Sequence, residues 1–90
     1  MRGPNNTLLS NASATGTGVN WQGGRGVFTV EATFGGGTVT LQFQTLNGTW
    51  VAVDGCALTA AGTKAFDLPP GPIRAAVATA TAVYAYTHAL

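Results

Sequence analysis

The chain has 90 residues and a formal net charge of +1, and only 8% of its residues are charged, against about 25% in a typical soluble domain. This length allows one domain, and a single cysteine, Cys56, excludes an internal disulfide. We expect neither a nucleic acid nor a membrane as a partner, because the four basic residues are dispersed and no apolar run approaches the roughly 20 residues that cross a bilayer.

The N-terminal segment, residues 1–13, is mostly polar and contains Leu8 and Leu9. Its composition predicts an arm that either includes a short first strand or packs on a neighbouring molecule. Residues 14–90 are predicted to form the single folded domain. The first residues lack the apolar core of a secretory signal, so we expect synthesis in a cytoplasm.

The strongest pattern in the sequence covers residues 27–53, where apolar and polar side chains alternate and predict strands with one apolar face. The three predicted strands span residues 27–34, 38–44 and 50–53. The three glycines at 35–37 predict an antiparallel hairpin, and Asn47-Gly48 predicts a second turn. We therefore expect a three-stranded meander that buries Trp50 and has a nearly uncharged outer face.

The second half of the chain predicts further short strands, separated by turns. These strands span residues 63–68, 73–79 and 82–87. Asp54-Gly55 predicts a turn that ends the preceding strand, and Pro70-Gly71 suits the centre of a type II turn. Six or seven short strands at this spacing predict an all-β fold, either an antiparallel β-sandwich or a small jelly roll or barrel.

The sequence contains no arrangement of residues that is typical of an enzyme. His88 is the only histidine, and no spacing ties one of the carboxylates, Glu31, Asp54 or Asp67, to it as an orienting partner. Cys56 has no activating neighbour along the chain, which favours a buried structural thiol. We therefore expect no enzymatic activity, no catalytic residues, no cofactor and no metal site.

Four aromatic residues indicate an alternative in a different functional class. Trp21, Trp50, Tyr84 and Tyr86 have flat π faces of the kind that stack on other flat groups, including sugar rings. A carbohydrate-binding surface is therefore a second interpretation. The competing interpretation places Trp50 in the core and the tyrosines at interface or half-buried positions.

Five segments of the chain resemble small β-rich structural proteins of tailed bacteriophages, and they are spread from residue 7 to residue 75, so that the resemblance extends over most of the chain. The segments are TLLS (7–10), WQGGRG (21–26), FGGGTVTLQ (34–42), NGTWV (47–51) and LPPGPIRA (68–75). They are turn and strand patterns and contain no catalytic signature. What the resemblance implies is a β-rich accessory component of the virion, such as a capsid decoration protein, made in the host cytoplasm and carried on the capsid surface.

On this resemblance we expect a non-enzymatic capsid decoration or cement protein that docks on the major capsid protein through low-charge β faces and the N-terminal arm. We also expect a homo-oligomer, with a trimer as the predicted state. The alternative is a carbohydrate- or host-surface-binding module of a phage fibre or tail, with a glycan as its ligand. The contact residues expected on the docking surface are Leu8, Leu9, Trp21, Arg25 and Arg74.

Overall fold

The computed structural model describes residues 5–89, which form eight β-strands. They are β1 (Asn5–Ala12), β2 (Val19–Trp21), β3 (Gly24–Thr33), β4 (Thr38–Gln44), β5 (Trp50–Leu58), β6 (Gly62–Leu68), β7 (Gly71–Ala78) and β8 (Thr81–Ala89). The structure thus has more strands than the six or seven predicted, and β2 is a strand that was not predicted from the sequence. No helix among the described residues is long and apolar enough to cross a membrane.

The strands form two antiparallel sheets of four. Sheet one has the order β1-β8-β3-β6, and sheet two has the order β2-β7-β4-β5. The chain changes sheet at every connection except the β4–β5 hairpin, and its first and last strands are neighbours in sheet one. This is the strand order of a jelly roll. The all-β sandwich predicted from the sequence is therefore confirmed.

The core lies between the two sheets and is built from the inward positions of alternating strands. The largest fully buried side chains are Trp21, Phe28, Leu41, Ile73, Val30, Val39, Val83, Thr87 and Cys56. The apolar faces predicted for the strands now numbered β3 and β4 are confirmed by this set, because successive side chains of a strand point to opposite faces. Each large apolar side chain buried there contributes about 1.5–3 kcal/mol.

The predicted meander is wrong at its first turn. β3 pairs with β6 and β8, whereas β4 pairs with β5 and β7. The glycines at 35–37 therefore carry the chain from one sheet to the other and do not close a hairpin. Gly37 is buried, and a Cβ there would lie 2.6 Å from the backbone nitrogen of Ala80, so a close approach of two backbones requires this glycine. The outer faces of β3 and β4 consequently lie on opposite sides of the sandwich.

Asp54 and Gly55 do not end a strand as predicted, because β5 continues through them to Leu58. The register of β5 against β4 shifts between the pairs Thr40–Ala57 and Gln42–Ala52, so the two residues lie in a bulge. Gly55 has a φ of 76°, which glycine adopts at little cost. β5 is an edge strand of sheet two, and a bulge that carries a carboxylate hinders pairing with a further strand.

The N-terminal segment forms a strand over most of its described length. β1 pairs with β8 at the edge of sheet one, with two register shifts along the ladder. Leu9 is buried and Leu8 packs against the same core. Residues 1–4 of the predicted arm lie outside the described residues, and contacts between the arm and another molecule stay a prediction.

Candidate functional site

The structure does not bring the five predicted contact residues together on one surface. Leu9 and Trp21 belong to the core, with exposures of 8% and 1%, so their side chains are not available to a partner of the folded chain. Leu8 is half-buried beside them. Arg25 is exposed on β3 in sheet one, and Arg74 is half-buried on β7 in sheet two. Any docking surface must therefore be built from other residues together with one of the two arginines.

The two tryptophans exchange the positions predicted for them. Trp21 packs against Phe66 in the core, with ring centroids 5.0 Å apart. Gly26 leaves the space for this ring, because a Cβ at Gly26 would lie 2.7 Å from Cη2 of Trp21. Trp50 is half-buried at the start of β5, paired with Gln44 of β4. Trp21 is thereby removed from any exposed aromatic platform, and Trp50 becomes a surface residue.

The β4–β5 hairpin presents the most exposed large apolar side chain of the described residues. Leu46 has 108% of its reference exposure. The backbone N–H of Gly48 donates to the carbonyl of Thr45 at 2.9 Å, and that of Thr45 donates to the carbonyl of Thr49 at 2.8 Å. The side-chain amide of Gln44 donates to the carbonyl of Gly48 at 3.1 Å. This hydrogen-bonded turn holds the leucine in solvent.

An apolar groove of about 410 Å³ lies beside Leu46 at this end of the sandwich. The groove runs between the β4–β5 turn and the proline-rich connection from β6 to β7, and none of its lining residues is charged. The lining residues are Phe43, Gln44, Thr45, Leu46, Pro69, Pro70, Gly71 and Pro72. Glycine at position 71 lets the ring of Phe43 approach the backbone, since a Cβ there would lie 2.9 Å from Cζ of Phe43.

A second groove, of about 360 Å³, follows the side of the sandwich where β5 and β6 face each other, and Phe43 lines both grooves. β5 and β6 belong to different sheets, so apolar side chains are accessible between their edges. We call the combined apolar area the end surface. It consists of Phe43, Leu46, Val51, Val53, Leu68, Pro69, Pro70 and Pro72. Because Phe43 lines both grooves, these apolar side chains form one connected area.

Arg74 lies next to the end surface, on the outer face of sheet two, and two neighbours hold its side chain. Its Nε donates to Oε1 of Gln42 at 2.7 Å, and its guanidinium carbon lies 4.4 Å from the centroid of the Trp50 ring. Gly18 leaves room for that ring, because a Cβ at Gly18 would lie 3.1 Å from Cη2 of Trp50. Gln44 pairs with Trp50 and also lines the first groove. The group formed by Arg74, Gln42 and Trp50 is therefore continuous with the end surface.

The nucleophilic and titratable residues do not converge on a reaction site. Cys56 is fully buried, and burial raises the pKa of its thiol, an effect that nearby Lys64 opposes and Asp54 reinforces. The thiol is therefore protonated near neutral pH, whereas the thiolate is the reactive form. Within residues 5–89, no group of three or more His, Cys, Asp or Glu side chains could hold a metal ion.

No known protein family matches the chain, and no curated protein matches it in sequence. Its fold is similar to that in the crystal structure of SPBc2 prophage-derived protein YomS. The two share 11% sequence identity with a TM-score of 0.67, over 94% of this chain and 88% of that chain. At this level of identity, the similarity concerns the fold.

Proposed function

We propose that this chain is a non-enzymatic structural protein of a bacteriophage particle, which decorates the capsid by docking on the major capsid protein. The observation that carries the proposal is Leu46, fully exposed on a hydrogen-bonded turn beside an uncharged apolar groove. The similarity in fold to a prophage-derived protein supports the phage context, and the phage-like turn and strand motifs of the sequence support the role as a virion component.

Docking through the end surface is favoured by its composition. Apolar side chains release water when they are covered, and a leucine that passes from full exposure to burial contributes about 1.5–3 kcal/mol. The turn that carries Leu46 is already ordered in the free protein, so binding loses little additional conformational entropy there. Charged side chains, which are costly to dehydrate, are absent from the lining of the first groove.

Self-association into a trimer on the capsid is part of the same proposal. A chain with 8% charged residues and a net charge of +1 repels its own copies only weakly. Small domains commonly gain stability from association. Copies that cover the junctions of capsid subunits would add buried area at each junction and so cement the shell.

The carbohydrate-binding alternative is favoured by one specific observation on the other side of the molecule. Tyr84 is 44% exposed, and Tyr86 follows two residues later in β8, on the same outer face of sheet one. Glu31 pairs with Tyr84 and Thr29 pairs with Tyr86 across the ladder, which places polar groups beside both rings. A host-surface glycan would bind this face and leave the end surface free for the capsid.

Replacement of Leu46 by aspartate tests the docking role. The variant is expected to bind particles depleted of this protein at least about 30-fold more weakly, because it loses an apolar anchor and brings an unpaired charge into a contact that excludes water. Binding isotherms on depleted particles provide the measurement. Thermal unfolding is expected to be unchanged, since the side chain is fully exposed in the free protein.

Ala61→Asp is the matched control for this experiment. Ala61 is exposed in the connection between β5 and β6, at the opposite end of the sandwich from Leu46, and its replacement introduces the same charge. The control is expected to bind as the wild type does. Equal binding of the two variants would contradict docking through the end surface.

A further inference from the structure

Arg74 carries a charge that the described residues leave uncompensated. Its contacts are Gln42 and Trp50, which are both uncharged. Among residues 5–89, no carboxylate forms an ion pair with Arg74: Glu31 and Asp67 lie in sheet one, and Asp54 lies in the β5 bulge. Arg74 is therefore a cation without an ion-pair partner among the described residues, and its electrostatic complement is an anion.

The two contacts also orient the guanidinium group. The guanidinium carbon lies over the Trp50 ring, and Nε donates to Gln42, so the two Nη groups are the donors left to a ligand. A carboxylate can accept from both at once, in the paired geometry that arginine forms and lysine does not. Because the long side chain is already held in the free protein, less rotamer freedom is lost when a ligand binds.

We propose that Arg74 and Trp50 form a binding site for an Asp or Glu side chain on the partner protein. The carboxylate accepts from the two Nη groups, and the adjacent aliphatic carbons lie on the accessible part of the Trp50 ring. The inference rests on the proposed docking function, and it specifies the chemistry of the partner: an acidic residue beside an apolar area that covers Leu46. Tryptophan and arginine are the residue types that most often dominate the binding energy of interfaces.

Removal of the guanidinium is expected to weaken binding more than loss of a peripheral charge would. Arg74→Gln is expected to raise the dissociation constant on depleted particles by about 10- to 100-fold. Arg25→Gln is the matched control, because it removes the same group from an exposed position in sheet one, and it is expected to change the constant less than about threefold. If Arg74→Gln and Arg25→Gln weakened binding to the particles equally, the inference would be overturned.

Zero-length cross-linking tests which group on the partner is bound. Arg74→Lys places a primary amine at the site, and a carbodiimide joins it to a carboxylate in direct contact, forming an amide while the reagent takes up water and leaves as a urea. On saturated particles, mass spectrometry is expected to find residue 74 linked to an Asp or Glu of the partner. Lys64, on the edge strand β6, is the internal control and is expected to give no such link.

The outcomes separate the site from the docking function. Particles that bind the Arg74→Lys variant and yield no cross-link from residue 74 would overturn the carboxylate site and leave the docking function standing. If the lysine variant does not bind, the comparison of Arg74→Gln with Arg25→Gln decides the question. Failure of the wild-type protein to bind depleted particles would overturn the docking function itself, and the inference with it.

Discussion

Replacement of Gly37 by alanine is expected to lower the free energy of unfolding by at least about 3 kcal/mol. The added methyl group would fall against the carbonyl oxygen of Ala78 and would lie 2.6 Å from the backbone nitrogen of Ala80 and 2.9 Å from the carbonyl oxygen of Phe34. These are backbone atoms, so no side-chain rotation can relieve the contact. A domain of this size has a total stability of roughly 5–13 kcal/mol, and the loss is a large share of it.

Gly36→Ala is the control within the same connection. A Cβ at Gly36 meets no atom within 4 Å, so only its φ of 83° opposes the substitution, at about 1 kcal/mol. Urea unfolding of both variants measures the difference. If Gly36→Ala were as destabilising as Gly37→Ala, or more so, the connection would not cross between the sheets at Gly37, and the hairpin expected from the sequence would be the better description.

Truncation of the two tryptophans is expected to separate stability from binding. Trp21→Ala removes a side chain that is 1% exposed and packed on Phe66, at a cost of about 3–5 kcal/mol. Trp50→Ala removes a half-buried ring and its contact with Arg74, at about 1 kcal/mol. We expect the Trp50 variant to fold normally and to lose binding to depleted particles, because one wall of the Arg74 site is gone.

Urea unfolding and particle binding check the two variants together. Trp21→Phe serves as the conservative control: it keeps an aromatic ring in the core and removes an indole N–H that has no hydrogen-bond partner among residues 5–89. Its cost is expected to be smaller than that of Trp21→Ala, since less volume is lost and a buried unpaired donor disappears. Equal destabilisation by Trp50→Ala and Trp21→Ala would place Trp50 in the core after all.

The strands could be predicted from the sequence where their local pattern was complete. Alternation in β3 and β4 identifies Phe28, Val30, Val39 and Leu41 as inward-facing, and all four are fully buried. The pairing of these strands is not a local property. The connection from β3 to β4 is compatible with a hairpin or with a change of sheet. The close approach of Gly37 to Ala78 and Ala80, some forty residues later in the chain, decides between them.

The positions of the two tryptophans also depend on contacts between distant parts of the chain, although the sequence contains one indication that Trp50 is exposed. A turn that pairs Gln44 with Trp50 puts both side chains on the same face. The alternation within residues 38–44, with Val39 and Leu41 pointing inward, directs Gln44 outward. The hairpin register alone therefore indicates that Trp50 faces solvent. Trp21 ends a strand of three residues, which is too short to show any alternation. Its burial depends on Gly26 and Phe66 from other strands.

Only part of the end surface could be predicted from the sequence. Leu46 is an apolar residue inside a segment predicted to be a turn, and this combination indicates an exposed leucine. The groove beside it also needs Pro69, Pro70 and Pro72 from the β6–β7 connection. The sequence predicts that connection as a turn but cannot place it next to the β4–β5 hairpin, because only the strand order of the jelly roll brings the two together.

If the chain is a virion component as proposed, the number of its copies in purified phage particles tests this role most directly. Quantitative mass spectrometry against the major capsid protein gives this ratio. Capsid decoration predicts a fixed ratio close to stoichiometric, reproducible between preparations and strongly reduced when the phage carries Leu46→Asp. Absence of the chain from the particles, or only a few copies per particle, would contradict it.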